Sequence, residues 1–228
     1  MNLIDLFYTS TKGSDKWNRY FDVYQRYLEK YEGKNITFVE VGIAEGGSLE
    51  MWSKFFGPES KLYGIDINPN CARLEYSPNV KVIIGDQGDP NFWNNILKDI
   101  GPIDAFLDDG GHQMNQQIVT FESVWPSLKT NGVYLCEDTH TSYFENYNSR
   151  YRNPDSFIEY SKDFVDILHL KETSIYINDG IVNPLPIRYD QRLAPKKFAH
   201  DISSVHFYDS MVVFEKNERS DMARISPR

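Results

Sequence analysis

VEVGIAEGGS (residues 39–48) decides the fold: an apolar run closes on Gly42, a turn carries Gly46 and Gly47, and a helix starts at Ser48. Strand, glycine turn and helix open a parallel α/β unit, because such a turn lets backbone amides approach a ligand and points a helix N-terminus at it. The glycine spacing is not the GxGxxG of dinucleotide sites. Glu40, on the strand just before the turn, would repel a pyrophosphate and suits a cationic ligand.

Outward from this unit the same alternation continues. Short β-rich runs lie at ITFVEVG (36–42), KLYGID (61–66), VKVIIGD (80–86), IDAFLDD (103–109) and GVYLCED (132–138), with helix-length stretches at 48–56, 90–100 and 114–129 between them. Near-continuous apolar strands separated by crossover helices predict a Rossmann-like, doubly wound parallel sheet covered on both faces. Tyr20, Phe21, Tyr24, Tyr27 and Leu28 recur at helical spacing and predict an amphipathic helix over 15–32, ending near Gly33. A polar and aromatic stretch, 139–156, interrupts the pattern and reads as a substrate lid, followed by a helix over 157–170. The tail DISSVHFYDSMVVFEK (201–216) predicts two strands, 202–208 and 211–216, joined through Asp209 and Ser210 as a C-terminal antiparallel hairpin. The whole reads as one domain over 1–228, with 1–34 as an N-terminal helical segment.

Composition bounds the function classes. Of 228 residues, 40% are hydrophobic and 14% aromatic, enough for a core without disulfides. The net charge of −9, with basic residues scattered along the chain, argues against a nucleic-acid partner. Cys71 and Cys136 sit in or beside apolar segments and read as reduced, buried thiols. No apolar run reaches the ~18 residues of a membrane span, and the amino terminus has no secretory pattern. A cytoplasmic protein is expected, and a homo-oligomer is left open.

The candidate chemistry lies at strand ends, where ligands of open α/β sheets gather. Asp66 ends the second strand and suits a ribose diol. Asp86 and Gln87 end the third, where they read either as contacts to an adenine edge or as turn formers. LDDGGHQ (107–113) and CED (136–138) bring Asp109, Glu137 and Asp138 to the ends of adjacent strands. Three carboxylates there would repel, so a hard divalent cation such as Mg²⁺ is the economical counter-ion. His112, three residues past Asp109, is then placed as general base on a hydroxyl, with Asp109 beside it in the reaction. Read singly, each of these is a satisfied strand-end acid or a helix start. In the lid, the aromatic and basic residues, among them Tyr143 and Arg150, suit a sugar acceptor or dock a surface loop. Arg188, Arg192, Lys196 and Lys197 read as solvated surface.

With VEVGIAEGGS, LYGID, DDGGH and EDTHTSY, preceded by SDKW and YFDVY and closed by VHFYDSMVVFEK, the chain resembles the metal-dependent sugar O-methyltransferases of the class I S-adenosylmethionine group. The likeness extends to macrolide deoxysugar methyltransferases and, more loosely, to the cephalosporin hydroxylase-like family. It implies S-adenosylmethionine held by Glu40, Gly42, Ser48, Asp66 and Asp86, beside which Gln87 and Asp108 are further cofactor-binding candidates. It further implies Mg²⁺ on Asp109, Glu137 and Asp138, His112 as base, and methyl transfer to a hydroxyl of a glycan, nucleotide sugar or glycosylated small molecule. His140 stands where members often carry a bulky aromatic, which makes it a further acceptor-side candidate. The large N-terminal domain that some members carry has no counterpart here. Two rival readings are an NAD-dependent oxidoreductase, disfavoured by the glycine spacing and Glu40, and a non-catalytic cofactor-binding partner, disfavoured by the intact acid and histidine set.

Overall fold

In the computed structural model, which describes residues 2–178 and 201–218, the elements follow the expected alternation. They are α1 (Leu3–Phe7), α2 (Tyr20–Leu28), β1 (Thr37–Val41), α3 (Gly47–Phe56), β2 (Lys61–Asp66), β3 (Val80–Ile84) and α4 (Pro90–Ile100). Then come β4 (Ile103–Asp108), α5 (Met114–Val124), β5 (Leu128–Cys136), α6 (Phe157–Asn178), β6 (Ile202–Tyr208) and β7 (Met211–Lys216). One sheet contains all the strands in the order β3-β2-β1-β4-β5-β7-β6. β1 to β5 are parallel, and β7 inserts antiparallel between β5 and β6. The strand order reverses between the parallel neighbours β1 and β4, the switch point at which ligands of open sheets bind.

Every residue of β1 is buried, as a central strand covered on both faces requires. Strand alternation sends Phe38 into the layer of α2 and α3, and Val39 and Val41 into the layer of α4, α5 and α6. In the first layer Trp52 packs against Phe38 at 5.2 Å and Tyr24 at 5.3 Å between ring centroids. In the second, Phe121 packs on Phe214 at 4.5 Å and Tyr134 at 5.0 Å, so the C-terminal hairpin is part of the core.

Three expected boundaries move. The helix expected over 15–32 begins at Tyr20, because residues 8–19 run across the sheet end as an irregular strap, and it closes in a 3₁₀ turn at Glu29–Tyr31. The helix expected to reach 129 ends at Val124, where Pro126 belongs to a 3₁₀ turn and Leu128 already starts β5. α6 continues to Asn178, beyond the expected end at 170. The stretch 139–156 is built of 3₁₀ turns at Thr139–Tyr143 and Glu145–Tyr147, with Thr139, Thr141, Ser142, Ser149 and Ser156 buried. Tyr143, Phe144 and Tyr151 keep exposed rings, so this segment is a docked cover with an aromatic outer face. The basic group at 188–197 lies outside the described residues. Among the described residues no helix is long and apolar enough to cross a membrane. Cys71 and Cys136 are buried, free thiols.

Candidate active site

The parity of the strands assembles the site. Val41, Asp108 and Cys136 are register partners across β1, β4 and β5 and face the α5 layer. One residue further on, Asp109 and Glu137 face the opposite layer, that of α2, and Glu40 shares that face because it alternates with Val41. Three buried or half-buried carboxylates from three strands therefore converge under the N-terminal strap.

Lys16, carried by that strap, fills the space between them. Its ammonium donates to Asp109 Oδ2, lies 3.2 Å from both Glu137 oxygens and is 3.5 Å from Glu40 Oε1. Only 2% of its side chain is exposed. Burial pulls the Lys16 pKa down, but the charges of Asp109, Glu137 and Glu40 outweigh it and hold it well above the usual range. Burial raises Glu137 well above the usual carboxylate range, and Asp109 adds to the rise while Lys16 opposes it. Glu40 is pushed up to about 7 by burial, with Lys16 pulling the other way. The phenol of Tyr24 on α2 donates to Glu137 Oε1, and Gln117 on α5 donates to the Glu137 carbonyl at 3.2 Å. Glu137 is thereby turned inward, with both oxygens engaged.

The remaining polar atoms of the expected site face the other way. His112 Nε2 lies 3.9 Å from Asp109 Oδ1 and 3.5 Å from Asp138 Oδ2. Taken with one atom from each residue, Asp109, His112 and Asp138 form a group whose donor atoms lie within 4.8 Å of one another, each half-buried. The Tyr20 phenol holds the other Asp138 oxygen at 2.5 Å. His112 and Asp138 both occupy the left-handed region, at φ 54° and 51°, as does Ala44 of the glycine turn at 45°. Non-glycine residues in this region store strain, and here they lie at the ends of β1, β4 and β5, where a site is built.

Beside this group a cleft of about 160 Å³ follows the switch point, lined among others by Gly42, Asp66, Ile67, Asp86, Gln87 and Gly110. Asp66 both lines the cleft and shapes it, since its Oδ2 accepts from the Ile43 and Ala44 amides, both at 3.0 Å, and so locks the glycine turn onto β2. Gly42 sits at φ +83°, and a Cβ there would run into the Asp109 carbonyl oxygen. The turns after β1 and β4 are packed together at that glycine. Asp86 caps its own turn through Gly88 N at 2.7 Å while lining the cleft. Gln87 accepts from Gly111 N at 2.8 Å and donates to Asp108 Oδ1 at 2.9 Å.

Three expected cofactor residues, Glu40, Ser48 and Asp108, do not line this cleft, Glu40 being turned to Lys16 under the strap. Asp108 points into the α5 layer, accepting from Gln87 and from the Tyr134 phenol at 2.9 Å, and burial raises its pKa to about 6. Ser48 donates to Glu40 Oε2 at 2.8 Å and acts through that acid. On the acceptor side, His140 Nδ1 pairs with Ser210 Oγ, and Tyr143 stacks on Tyr151 at 6.3 Å, with Arg150 exposed. Tyr147 of the same cover approaches the His112 ring at 6.5 Å. Sequence reasoning misses Lys16, Tyr20 and Tyr24. The two tyrosines carry the signal of a helix face and read as core, whereas a lysine in a polar stretch carries no signal of burial.

A family model described as a methyltransferase domain matches residues 39–139. The 8-demethyl-8-alpha-L-rhamnosyl tetracenomycin-C 2'-O-methyltransferase of Streptomyces olivaceus is 30% identical over 94% of this chain and 55% of its own length. The mycinamicin VI 2''-O-methyltransferase of Micromonospora griseorubida is 24% identical over 87% of this chain and 48% of its own. The chain thus spans about half the length of the curated relatives it matches. Among solved structures, the MycE methyltransferase of the mycinamycin pathway, in complex with Mg and SAH, superposes with a TM-score of 0.78. It is 24% identical, over 96% of this chain and 55% of that one, and the likeness shows the fold. Sheet order, strand-end acids and these likenesses together show that the chain carries a methyltransferase domain of the class I fold, similar in sequence to the tetracenomycin and mycinamicin sugar O-methyltransferases.

Proposed function

We propose that this chain is the methyltransferase unit, over residues 1–228, of an S-adenosylmethionine- and Mg²⁺-dependent enzyme that methylates a hydroxyl of a sugar. The acceptor is a glycan, nucleotide sugar or glycosylated small molecule. The observation that carries the reading is the convergence of Asp109, His112 and Asp138 within 4.8 Å of one another beside the switch-point cleft. The same reading makes it a cytoplasmic enzyme, in keeping with two buried free thiols.

The donor set suits a hard cation: Asp109 Oδ1 and Asp138 Oδ2 are the outward carboxylate oxygens that would hold Mg²⁺. Glu137, the third ligand implied by the family resemblance, would join them only by exchanging Lys16, which now engages both of its oxygens. When bound, the cation favours the ionised form of the acceptor hydroxyl, and the sulfonium supplies the methyl group. The chain's own residues do the rest. His112 Nε2 takes the hydroxyl proton, and the resulting imidazolium faces Asp109 Oδ1 and Asp138 Oδ2, which stabilise its charge. Asp138 is steadied by Tyr20, and Asp66, Asp86 and Gln87 line the cleft for the adenosine end. The exposed Ile67 offers an apolar face to the base.

Transfer of labelled methyl from S-adenosylmethionine to deoxysugar glycosides, run with Mg²⁺ and again with EDTA, tests the reading. Calorimetry with SAH and with NAD separates it from an oxidoreductase. Binding of NAD and not SAH, or methyl transfer undiminished by EDTA, would refute it.

A further inference from the structure

A second cavity, of about 380 Å³, has Trp17, Asn18, Arg19, Tyr20, His140 and Asp209 on its walls and lies next to Asp138. Its position follows from shared residues: the Tyr20 phenol that forms one wall donates to Asp138 Oδ1, and His140 Nδ1 lies 3.9 Å from the same oxygen. The groove therefore adjoins the Asp138 carboxylate on its Oδ1 side, while His112 faces Oδ2.

The wall chemistry is that of a carbohydrate site. Trp17 presents a ring that is 60% exposed, a large rigid apolar surface held at the edge of a polar groove. Facing it are an amide, a guanidinium, a carboxylate and an imidazole, with Arg19 Nη1 and Asp209 Oδ2 paired at 2.8 Å across the rim. Planar groups that between them donate (guanidinium, amide N–H) and accept (carboxylate, amide C=O) match the alternating hydroxyls of a sugar, and an aromatic plane matches its C–H face. The remaining tryptophans, Trp52, Trp93 and Trp125, are fully buried in the core. The exposed ring is therefore not a packing residue.

We propose that this groove binds the acceptor sugar ring, with Trp17 as its stacking platform and the Arg19–Asp209 pair and His140 as its hydroxyl partners. The proposal rests on the sugar methyltransferase reading and assigns its acceptor side to the strap and the C-terminal hairpin. The cover residues Tyr143 and Arg150 are thereby left out of the sugar contact.

The burial contrast among the tryptophans provides the test. Acrylamide quenching of the free enzyme reports Trp17, and methyl α-L-rhamnopyranoside, added with Mg²⁺ and SAH, should protect it. In turnover assays with rhamnosides, Trp17→Ala should raise KM about tenfold with kcat within about twofold, and Trp17→Phe should restore most of the loss. SAH affinity should be unchanged in both variants. A Trp17 shielded from acrylamide in the free enzyme, or a Trp17→Ala enzyme that methylates rhamnosides with native KM, would overturn the groove while leaving the methyltransferase reading intact. If the wild type binds SAH yet methylates no glycoside, the reading itself fails and the groove assignment with it.

Discussion

The Lys16 ammonium lies 3.2 Å from each oxygen of Glu137, joining the strap before α2 to the end of β5 across more than half the chain. Ion pairs this deeply buried are poor stabilisers in net terms, because desolvation offsets attraction, but breaking one leaves an uncompensated charge. Lys16→Met should therefore cost about 3–5 kcal/mol in EDTA. Since the variant exposes its carboxylates to a divalent cation without competition, Mg²⁺ should return a larger share of stability to it than to the wild type. Thermal unfolding of both proteins with and without Mg²⁺ checks this. Equal gains would show that lysine and cation do not share these carboxylates.

Asp109→Asn and Asp138→Asn keep shape and remove charge at the outward ligand atoms. Each should lower turnover by about 10²-fold or more while SAH affinity stays within about threefold, because the pair serves the acceptor hydroxyl. Calorimetric titration with Mg²⁺ should show weakened binding in both. Native Mg²⁺ affinity in either variant would remove that residue from the metal site.

His112 combines its proposed role as base with backbone strain, and two substitutions separate them. Its φ of 54° favours glycine over any residue with a Cβ, by about 1–2 kcal/mol. His112→Gly should be more stable than His112→Ala by about 1 kcal/mol, and both should lose about 10²–10⁴-fold in kcat. Paired denaturant melts and steady-state rates decide it. Equal stabilities would mean that the loop relaxes out of the left-handed region.

Asp108 predicts a pH signature in stability. Burial raises its folded pKa to about 6, above its unfolded value, so between roughly pH 4 and pH 6 the folded state holds a proton that the unfolded state has released. The contribution of Asp108 to stability is greatest below pH 4 and falls as pH rises through that window. Asp108→Asn has no proton to exchange there. The stability of the variant relative to wild type should accordingly improve by on the order of 2–3 kcal/mol between pH 4 and pH 7. A constant difference across the window would place the proton elsewhere.

The sheet is legible because its signals are local. β1 to β5 are short apolar runs, several of them ending in acids, and Asp209–Ser210 between two apolar runs marks a hairpin without reference to any distant residue. The pairing of acids is legible for the same reason, since Asp109 and Glu137 follow strands whose lengths set their row. The direction each acid faces depends on strand parity, and parity puts Asp108 against Tyr134 and Asp109 against Lys16. Lys16 is illegible: its burial exists only after Glu40, Asp109 and Glu137 have been brought together from three strands. Hydropathy reads it, correctly for an isolated segment, as solvent-facing. The end of the strap, 15–19, reads as helix because the aromatic spacing that begins at Tyr20 extends backward on paper over residues that pair with the site instead of with one another.

The hairpin turn at Asp209–Ser210 gives this enzyme an order of assembly. The Ser210 carbonyl accepts from Thr139 N at 3.0 Å and from the Tyr20 phenol at 3.3 Å, and Asp209 meets Arg19. The residues lining the switch-point cleft all lie between Val41 and Gln116, so they leave the ribosome well before the hairpin does. The groove beside Asp138 is walled by both ends of the described chain, and until β7 pairs with β5 that strand is an open sheet edge. On the proposed reading, cofactor affinity should thus appear in nascent chains before acceptor affinity, so that a ribosome stalled ahead of residue 209 displays a chain that has the lining of its cleft and lacks one wall of its groove.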